Sequence, residues 1–495
     1  MITQTHKRWP GEVLLLAIAL PLVSLYLSHR MLGWIPHIPD EMSYAFQGKI
    51  LASGRLWLTP PPVPAAFAID HILFHNGHWC SVYPPGWPLL LAAGWLIHAP
   101  WIMNPLLLGV SILGLWRLAI QLFDRETAFL SILLFCISPF VILTSAGFMS
   151  HSATLCASLW CLVFLTGVKN SKTAIAAGLL AGYAFLTRPY TAIVLLAPAF
   201  FWALGEQKQN RIRFLFLLAL GFLPMMICYL VYNHLLFGSF YQAGYAFDPL
   251  WEFKGPETQL FFSKLDWFVL NIDRSIWGLP FPDPLMLLPL FLPNGRSRNE
   301  ILLLVCCLTL LLGYCFYYYT DVVYSGPRFL YEMMGFVSIL AARAILRIRT
   351  FLKKSARPLK SAFVFGGCAL LIFPLGIRLP AQIQYHSEIY HGQSHELIGK
   401  VNACGVGKNA LVLIAGDYYV FGSFFFQNAL VPQDGARVFA RDVASSETEL
   451  RKAYPRKELW RVKIDLQPLP SSNGYNDHWI LSGFLCQQLN SNTQN

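Results

Sequence analysis

The sequence predicts an α-helical polytopic membrane protein with about 11 transmembrane helices, interfacial helices in its first outer loop and a small C-terminal α/β domain. Three observations lead there: apolar runs that recur along most of the chain, basic residues sorted by loop, and a sharp change of composition near residue 380. Of 495 residues, 55% are hydrophobic and only 13% charged, whereas a soluble chain carries roughly 25% charged residues. Mean hydropathy is +0.48. Runs long enough to approach the ~20 residues that cross a bilayer lie near 11–30, 100–122, 127–144, 152–168, 173–187, 190–204, 214–236, 281–293, 300–319, 329–346 and 361–378. Several are short or interrupted by proline.

The first run follows Lys7 and Arg8, as a signal peptide would, but Arg30, Met31 and Trp34 come after it in place of a small-residue cleavage site. It reads as a retained anchor. The net charge of +11 needs no nucleic-acid partner. With the N-terminus inside, eighteen basic residues fall on the cytoplasmic side, seven of them between Arg343 and Lys360. Nine, spread over far longer loops, face the other side before the tail: Arg30, Lys49, Arg55, Arg188, Lys254, Lys264, Arg274, Arg328 and Arg378. The positive-inside rule then sets the orientation. Residues 31–99, the 237–280 loop and everything after about 380 are expected outside, in periplasm, lumen or medium.

Two domains follow: residues 1–379, a membrane domain that includes the first outer loop 31–99, and residues 380–495, an extracytoplasmic α/β domain. A connection of that length is rarely structureless. In "IPDEMSYAFQGKILASGRLW" (38–57), Met42, Ala45, Phe46, Lys49 and Ile50 repeat with helical period and give one apolar face, as in a helix lying in the membrane interface. Asp40, after Pro39, stands where an N-cap would start it. The loop closes on "YPPGWPLLLAAGW" (83–95), a rigid turn before apolar surroundings. In the tail, "ALVLIAG" (410–416), "RVFARDV" (437–443) and "ELWRVKI" (458–464) read as strands and "SSETELRKAY" (445–454) as a helix. Eight of the 11 cysteines lie in apolar runs and no CxxC pair exists. Cys404 and Cys486, both in the tail, are the better candidates for a disulfide than Cys80.

Asp40 and Glu41 are the first candidates for chemistry. An acid in the first turn offsets the positive helix end, and an Asp held at a membrane surface beside apolar walls also suits a general base acting on a hydroxyl. His71, His75 and His78, with Asp70, form the densest set of potential metal ligands. A helix would align His71 and His75, but Asn76 and Gly77 mark a turn there, and loop polarity is the plainer account. Arg188 in "FLTRPYTA" and Arg328 in "YSGPRFLYEMM" interrupt apolar stretches, and a guanidinium fork suits a phosphate. Snorkelling to lipid headgroups is the plain alternative for both, and Glu332, one turn after Arg328, would then neutralise it. Tyr83 and Trp87 are candidates for stacking on sugar. Asp442, in the tail, reads as a surface or capping residue.

An acidic pair after the first span, then "YAFQGKILASGRLW", then "YPPGWPLLLA" resembles the GT-C superfamily of polytopic glycosyltransferases. The resemblance is to the branch of the dolichyl-phosphate-mannose protein mannosyltransferases and the bacterial aminoarabinose transferases, and it covers roughly residues 10–345. It implies an inverting transfer of a sugar from a polyprenyl-phosphate carrier, with Asp40 as catalytic base and Glu41 as its neighbour. Many relatives carry another acid in the second outer turn, where this chain has "TSAGFMSHSAT" (144–154) and His151 in its place. His151 would then orient the base or a phosphate, and a two-carboxylate mechanism loses support. A divalent metal is compatible with this reading but not required by it. No nucleotide cofactor is expected, since no Gly-rich phosphate loop is present. The expected partners are a lipid-linked sugar donor and a lipid, glycan or protein acceptor, at the outer face of a bacterial inner membrane. Two other functions fit the apolar architecture: a transporter or flippase of lipid-linked sugars, which would favour ionisable groups at the midplane and repeated halves, and a polymerase or ligase of surface polysaccharide.

Overall fold

The computed structural model describes residues 9–167, 170–207, 210–250, 260–279, 297–317, 319–352, 366–367, 369, 372–443, 446–468 and 478–489. The expected span 281–293, part of 361–378, and Lys7, Arg8 and Lys254 lie outside the described residues. The helices in chain order are α1 (Gly11–Leu32), α2 (Pro39–Ala52), α3 (Gly86–Leu96), α4 (Met103–Leu122), α5 (Arg125–Cys136), α6 (Pro139–Thr144), α7 (His151–Thr166), α8 (Ser171–Thr187), α9 (Pro189–Glu206), α10 (Arg211–Phe237), α11 (Phe261–Ser275), α12 (Arg298–Cys315), α13 (Met334–Leu352), α14 (Leu379–Ser387), α15 (His395–Ala403), α16 (Gly422–Phe425) and α17 (Glu447–Ala453). The chain divides into two units: Met1–Tyr26, Ile102–Val231 and Phe253–Gln382 form one, and Leu27–Trp101, Tyr232–Glu252 and Ile383–Asn495 the other.

The first unit is helical. Among the described residues of the whole chain, 6 helical segments are long and apolar enough to cross a membrane: Gly11–Leu32, Pro100–Leu122, Pro189–Glu206, Arg211–Phe237, Arg298–Cys315 and Arg328–Leu352. The chain is an integral membrane protein. Other expected runs form shorter helices. The 127–144 run breaks at Pro139: α5 ends at Cys136 and Ser138 caps the six-residue α6 by accepting from the Val141 N–H (3.3 Å). Helix α4 packs on α5 and α7, α7 on α8, α5 on α13, and α9 on α12. Helices α8 and α10 meet at two glycines. A Cβ on Gly178 would run into the Leu218 carbonyl, and one on Gly221 into the Ile175 carbonyl. Such backbone-to-backbone approach is the usual use of small residues between membrane helices. At one end of this unit, acidic caps meet the arginines of α13. Glu300, in a capping box with Ser297, accepts from Arg343 (3.0 Å) and Arg347 (2.5 Å), and Asp124, the cap of α5, pairs with Arg343 (3.3 Å).

The second unit joins the first loop to the tail in one apolar core, in which Met42, Phe46 and Ile50 of α2 cluster with Val412, Phe421 and Phe425. Helix α2 buries every residue from Asp40 to Gly48, not the single face that apolar period predicts. Its second face is polar and is satisfied by hydrogen bonds, which a count of apolar residues does not see. A hairpin of β1 (Ile72–His75) and β2 (His78–Ser81) follows, turning on Asn76 (φ 50°) and Gly77 (φ 76°), the Asn-Gly pair that two-residue hairpins favour. His71 therefore precedes a strand, and no helix aligns it with His75. After the two-stranded pair β3 (Val322–Val323) and β4 (Gly326–Pro327) of the first unit, the tail builds a five-stranded sheet. Its strands are β5 (Ile389–Tyr390), β6 (Ala410–Gly416), β7 (Val438–Arg441), β8 (Glu458–Pro468) and β9 (His478–Gln488), in the order β5-β9-β8-β6-β7. β6 runs parallel to both β7 and β8, and β9 pairs antiparallel with β8. A Cys404–Cys486 disulfide ties the end of α15 to β9.

Candidate active site

In the second unit, Pro39 is the first helical residue of α2, and the N-cap is Ile38, in extended conformation with no side-chain cap bond. This corrects the expectation that Asp40 caps the helix. Proline fixes φ near the helical value, so the chain is already helical at 39, and Asp40 lies inside the first turn with its carboxylate available for other partners. That carboxylate, 7% exposed, accepts a hydrogen bond from the Tyr83 hydroxyl (Oδ1, 2.6 Å). Glu41, fully buried, turns back and accepts from the His37 N–H (3.1 Å). Glu41 thus ties the start of the helix to the residue before its N-cap, one position short of the capping-box contact with the N-cap N–H.

Tyr83 is placed by the hairpin. Its N–H donates to Ser81 Oγ (3.1 Å), Ser81 and Ser43 share a hydroxyl bond (2.6 Å), and the Ser81 N–H donates to Gln47 (3.0 Å). The ring packs on Tyr44 (4.2 Å between centroids). His71, at φ 66°, bonds through Nδ1 to Asp248 (2.8 Å) and lies edge-on to Tyr83. Burial opposes protonation of His71, but the Asp248 hydrogen bond and the charges of Asp40, Asp248 and Asp70 outweigh it and raise its pKa. His37 behaves oppositely: burial lowers its pKa to about 4, against its contacts with the carbonyls of Leu32 and Tyr390. Trp87 is buried in the first turn of α3.

In the first unit, two candidates, His151 and Arg188, gather around one carboxylate. Glu332 Oε1 lies 3.0 Å from His151 Nδ1 and 3.2 Å from Arg188 Nε. Arg188 sits at the break between α8 and α9 and donates to Ser150 Oγ (3.2 Å), Tyr314 Oη (3.3 Å) and Thr191 Oγ1 (3.2 Å). The sequence expectation that Glu332 neutralises Arg328 is overturned. Arg328 pairs with Asp321 (2.7 Å), because Arg328–Met333 is a 3-10 turn, in which residues four apart no longer stack as on an α-helix. The Phe329 ring lies beside both guanidiniums, 4.9 Å from Arg328 and 5.8 Å from Arg188. Neither arginine snorkels. Arg328 is 4% exposed and Arg188 is held by protein partners.

The structure therefore brings Asp40, Glu41, Tyr83 and Trp87 into one unit and His151, Arg188 and Arg328 into the other. Sequence reasoning missed Asp248, Asp321 and Tyr314. Asp321 and Tyr314 flank a run of tyrosines that reads as an aromatic belt, and Asp248 stands in a long loop with no periodicity around it. Glu332 carried a legible signal, an acid in an apolar span. Among the described residues no group of three or more His, Cys, Asp or Glu could hold a metal ion. His75 packs on Phe247 and His78 on Trp57.

A family model described as dolichyl-phosphate-mannose-protein mannosyltransferase matches residues 85–232, the stretch that holds Trp87, His151 and Arg188. ArnT from Cupriavidus metallidurans in the apo state superposes with a TM-score of 0.58 at 13% identity, over 92% of this chain and 93% of that one. This chain has the ArnT fold. The same ArnT bound to undecaprenyl phosphate gives 0.57 at 11% identity, over 95% and 97% of the two chains. The Archaeoglobus fulgidus oligosaccharyltransferase in complex with Zn and sulfate gives 0.52 at 14% identity, over 91% of this chain and 68% of that one. No curated protein sequence matches the chain. The resemblance to the GT-C superfamily, on its mannosyltransferase and ArnT side, thus holds in the family model and in the ArnT fold.

Proposed function

We propose that the chain is a membrane glycosyltransferase that moves a sugar from a polyprenyl-phosphate donor to an acceptor hydroxyl, with inversion, at the outer face of a bacterial inner membrane. In this reading the N-terminus is cytoplasmic and residues 380–495 are periplasmic. The supporting observation is the buried Asp40–Tyr83 hydrogen bond (2.6 Å) at the start of α2 in a chain with the ArnT fold. Asp40 takes the proton of the acceptor hydroxyl. The acceptor oxygen forms its bond to the anomeric carbon as the bond from that carbon to the phosphate oxygen breaks, and the polyprenyl phosphate leaves with the electron pair. Tyr83 fixes the carboxylate's orientation. Arg188 and Arg328 hold the phosphate as its charge grows, and His151 and Glu332 position Arg188. The undecaprenyl phosphate bound by ArnT supports a carrier of that class.

Reconstitution in liposomes with labelled polyprenyl-phosphate sugars tests the reading. Loss of a general base slows transfer by about 10²–10⁴-fold, so folded Asp40→Asn is expected to lose at least about a hundredfold in rate. Transfer at the wild-type rate removes Asp40 as base. Movement of the labelled lipid across the bilayer with no new glycosidic bond would favour a flippase, and elongation of a lipid-linked glycan would make the enzyme a polymerase or ligase.

A further inference from the structure

The carboxyl ends of the parallel strands in the tail hold a group of side chains that the reaction above does not use. Arg441 ends β7 in register with Ile414 of β6, and Asp417, Tyr418 and Tyr419 follow directly from the last residue of β6. In open α/β sheets this edge is where ligands bind.

The nearby arginines are fully employed. Arg437 donates to the carbonyls of Gly407 and Val406 and to Asn402 (3.1, 2.6 and 2.7 Å), and Arg461 pairs with Asp442 and Glu447 (2.7 Å each). Arg441 differs. Its guanidinium is half-buried with one face on the Tyr418 ring (4.1 Å to the centroid), and among the described residues it has no hydrogen-bond or ion-pair partner. Its five N–H donors are therefore not committed to partners within the described protein and stay partly open to solvent. Tyr418 is locked in place by donating to Asp70 (2.6 Å). Tyr419 stands perpendicular to it (5.3 Å, 85°) with its side chain exposed. Asp417 is exposed, with one oxygen accepting from the Tyr419 N–H (3.0 Å).

The group thus offers a donor fork, carboxylate acceptors and an exposed aromatic face. A bare anion would meet the guanidinium but also the charges of Asp70 and Asp417. A sugar ring suits all of them, because its hydroxyls accept from arginine and donate to carboxylates while its C–H face covers an aromatic ring. We propose that Arg441, Tyr419 and Asp417, with Tyr418 as support, form a subsite for one neutral sugar ring at the carboxyl edge of β6 and β7. That this sugar belongs to the acceptor rests on the glycosyltransferase reading; the binding itself does not.

Saturation-transfer NMR on the full chain in nanodiscs tests it, with maltotriose, mannotriose and triacetylchitotriose as neutral probes and glucose 1-phosphate as the charged one. At least one neutral trisaccharide is expected to bind, and Arg441→Ala to weaken it about tenfold, as for loss of a charged hydrogen-bond partner. Tyr419→Ala, at an exposed ring, is expected to weaken it as well and carries the test if Arg441→Ala misfolds. No binding by any neutral probe, unchanged affinity in the folded variants, or tighter binding of glucose 1-phosphate than of every neutral sugar overturns the subsite. The assay uses no donor and no turnover, so a failed transfer reaction with intact sugar binding would count against the glycosyltransferase reading alone.

Discussion

Asp40 in the second unit and Arg188 in the first are both charged side chains drawn out of bulk water, and the partners seen beside them differ in kind. Asp40 is held by a neutral hydroxyl, that of Tyr83, with the His71–Asp248 pair nearby. Arg188 faces a carboxylate, Glu332, which it shares with His151, and adds three hydroxyls. A hydroxyl donor orients a carboxylate and adds no charge of its own. A shared carboxylate cancels most of a guanidinium's charge locally, so neither side of that pair is dispensable to the other.

The sharpest way to break the comparison is at Glu332. Removing one member of a buried ion pair costs about 3–5 kcal/mol because the partner stays behind uncompensated. Glu332→Ala is therefore expected to lose about that much in unfolding titrations in mixed micelles, and the double change Arg188→Met with Glu332→Leu to lose less than either single change. Equal or greater loss in the double variant would mean that Arg188 is held by its hydroxyl partners instead. At the other site the effect is smaller. Tyr83→Phe removes a hydrogen bond to a charged group, about 1.5–3 kcal/mol, and should lower kcat by about tenfold with donor KM little changed; a rise in KM alone would make Tyr83 a substrate contact and not a support for Asp40. The smallest effect sharpens the electrostatics. The His71 pKa is raised from its ordinary 6.5, so the pair with Asp248 contributes stability that is fully present below about pH 6.5 and is lost as pH rises through the folded-state value. Asp248→Asn should therefore destabilise the protein by on the order of 1 kcal/mol in mild acid and by less in alkali. A difference independent of pH would mean that His71 stays neutral.

Much of both regions was legible in the sequence, and where it was not the reasons are physical. The apolar runs announced the membrane helices, and the strands at 410–416 and 458–464 stand where the sequence reading places them. Helix α2 was legible as a helix but not as one buried on all sides, since Ser43 and Gln47 are satisfied by partners far along the chain. Pro39 moved the cap, a local effect that outranked the general preference for Asp at that position. The wrong partner assigned to Glu332 came from assuming α-helical spacing from Arg328 to Glu332, where the chain takes a tighter 3-10 turn. His151 and Glu332 are 181 residues apart, and no local pattern encodes such a meeting.

The two glycines at which α8 and α10 meet give the Arg188 network a fixed reference. At Gly178 and Gly221 a Cβ would run into the facing backbone, so at this crossing the helices approach peptide group to peptide group. Sliding by one turn would bring a side chain where only hydrogen fits, so the crossing works as a mechanical stop along both axes. Arg188, the residue after the end of α8, inherits its height from that stop.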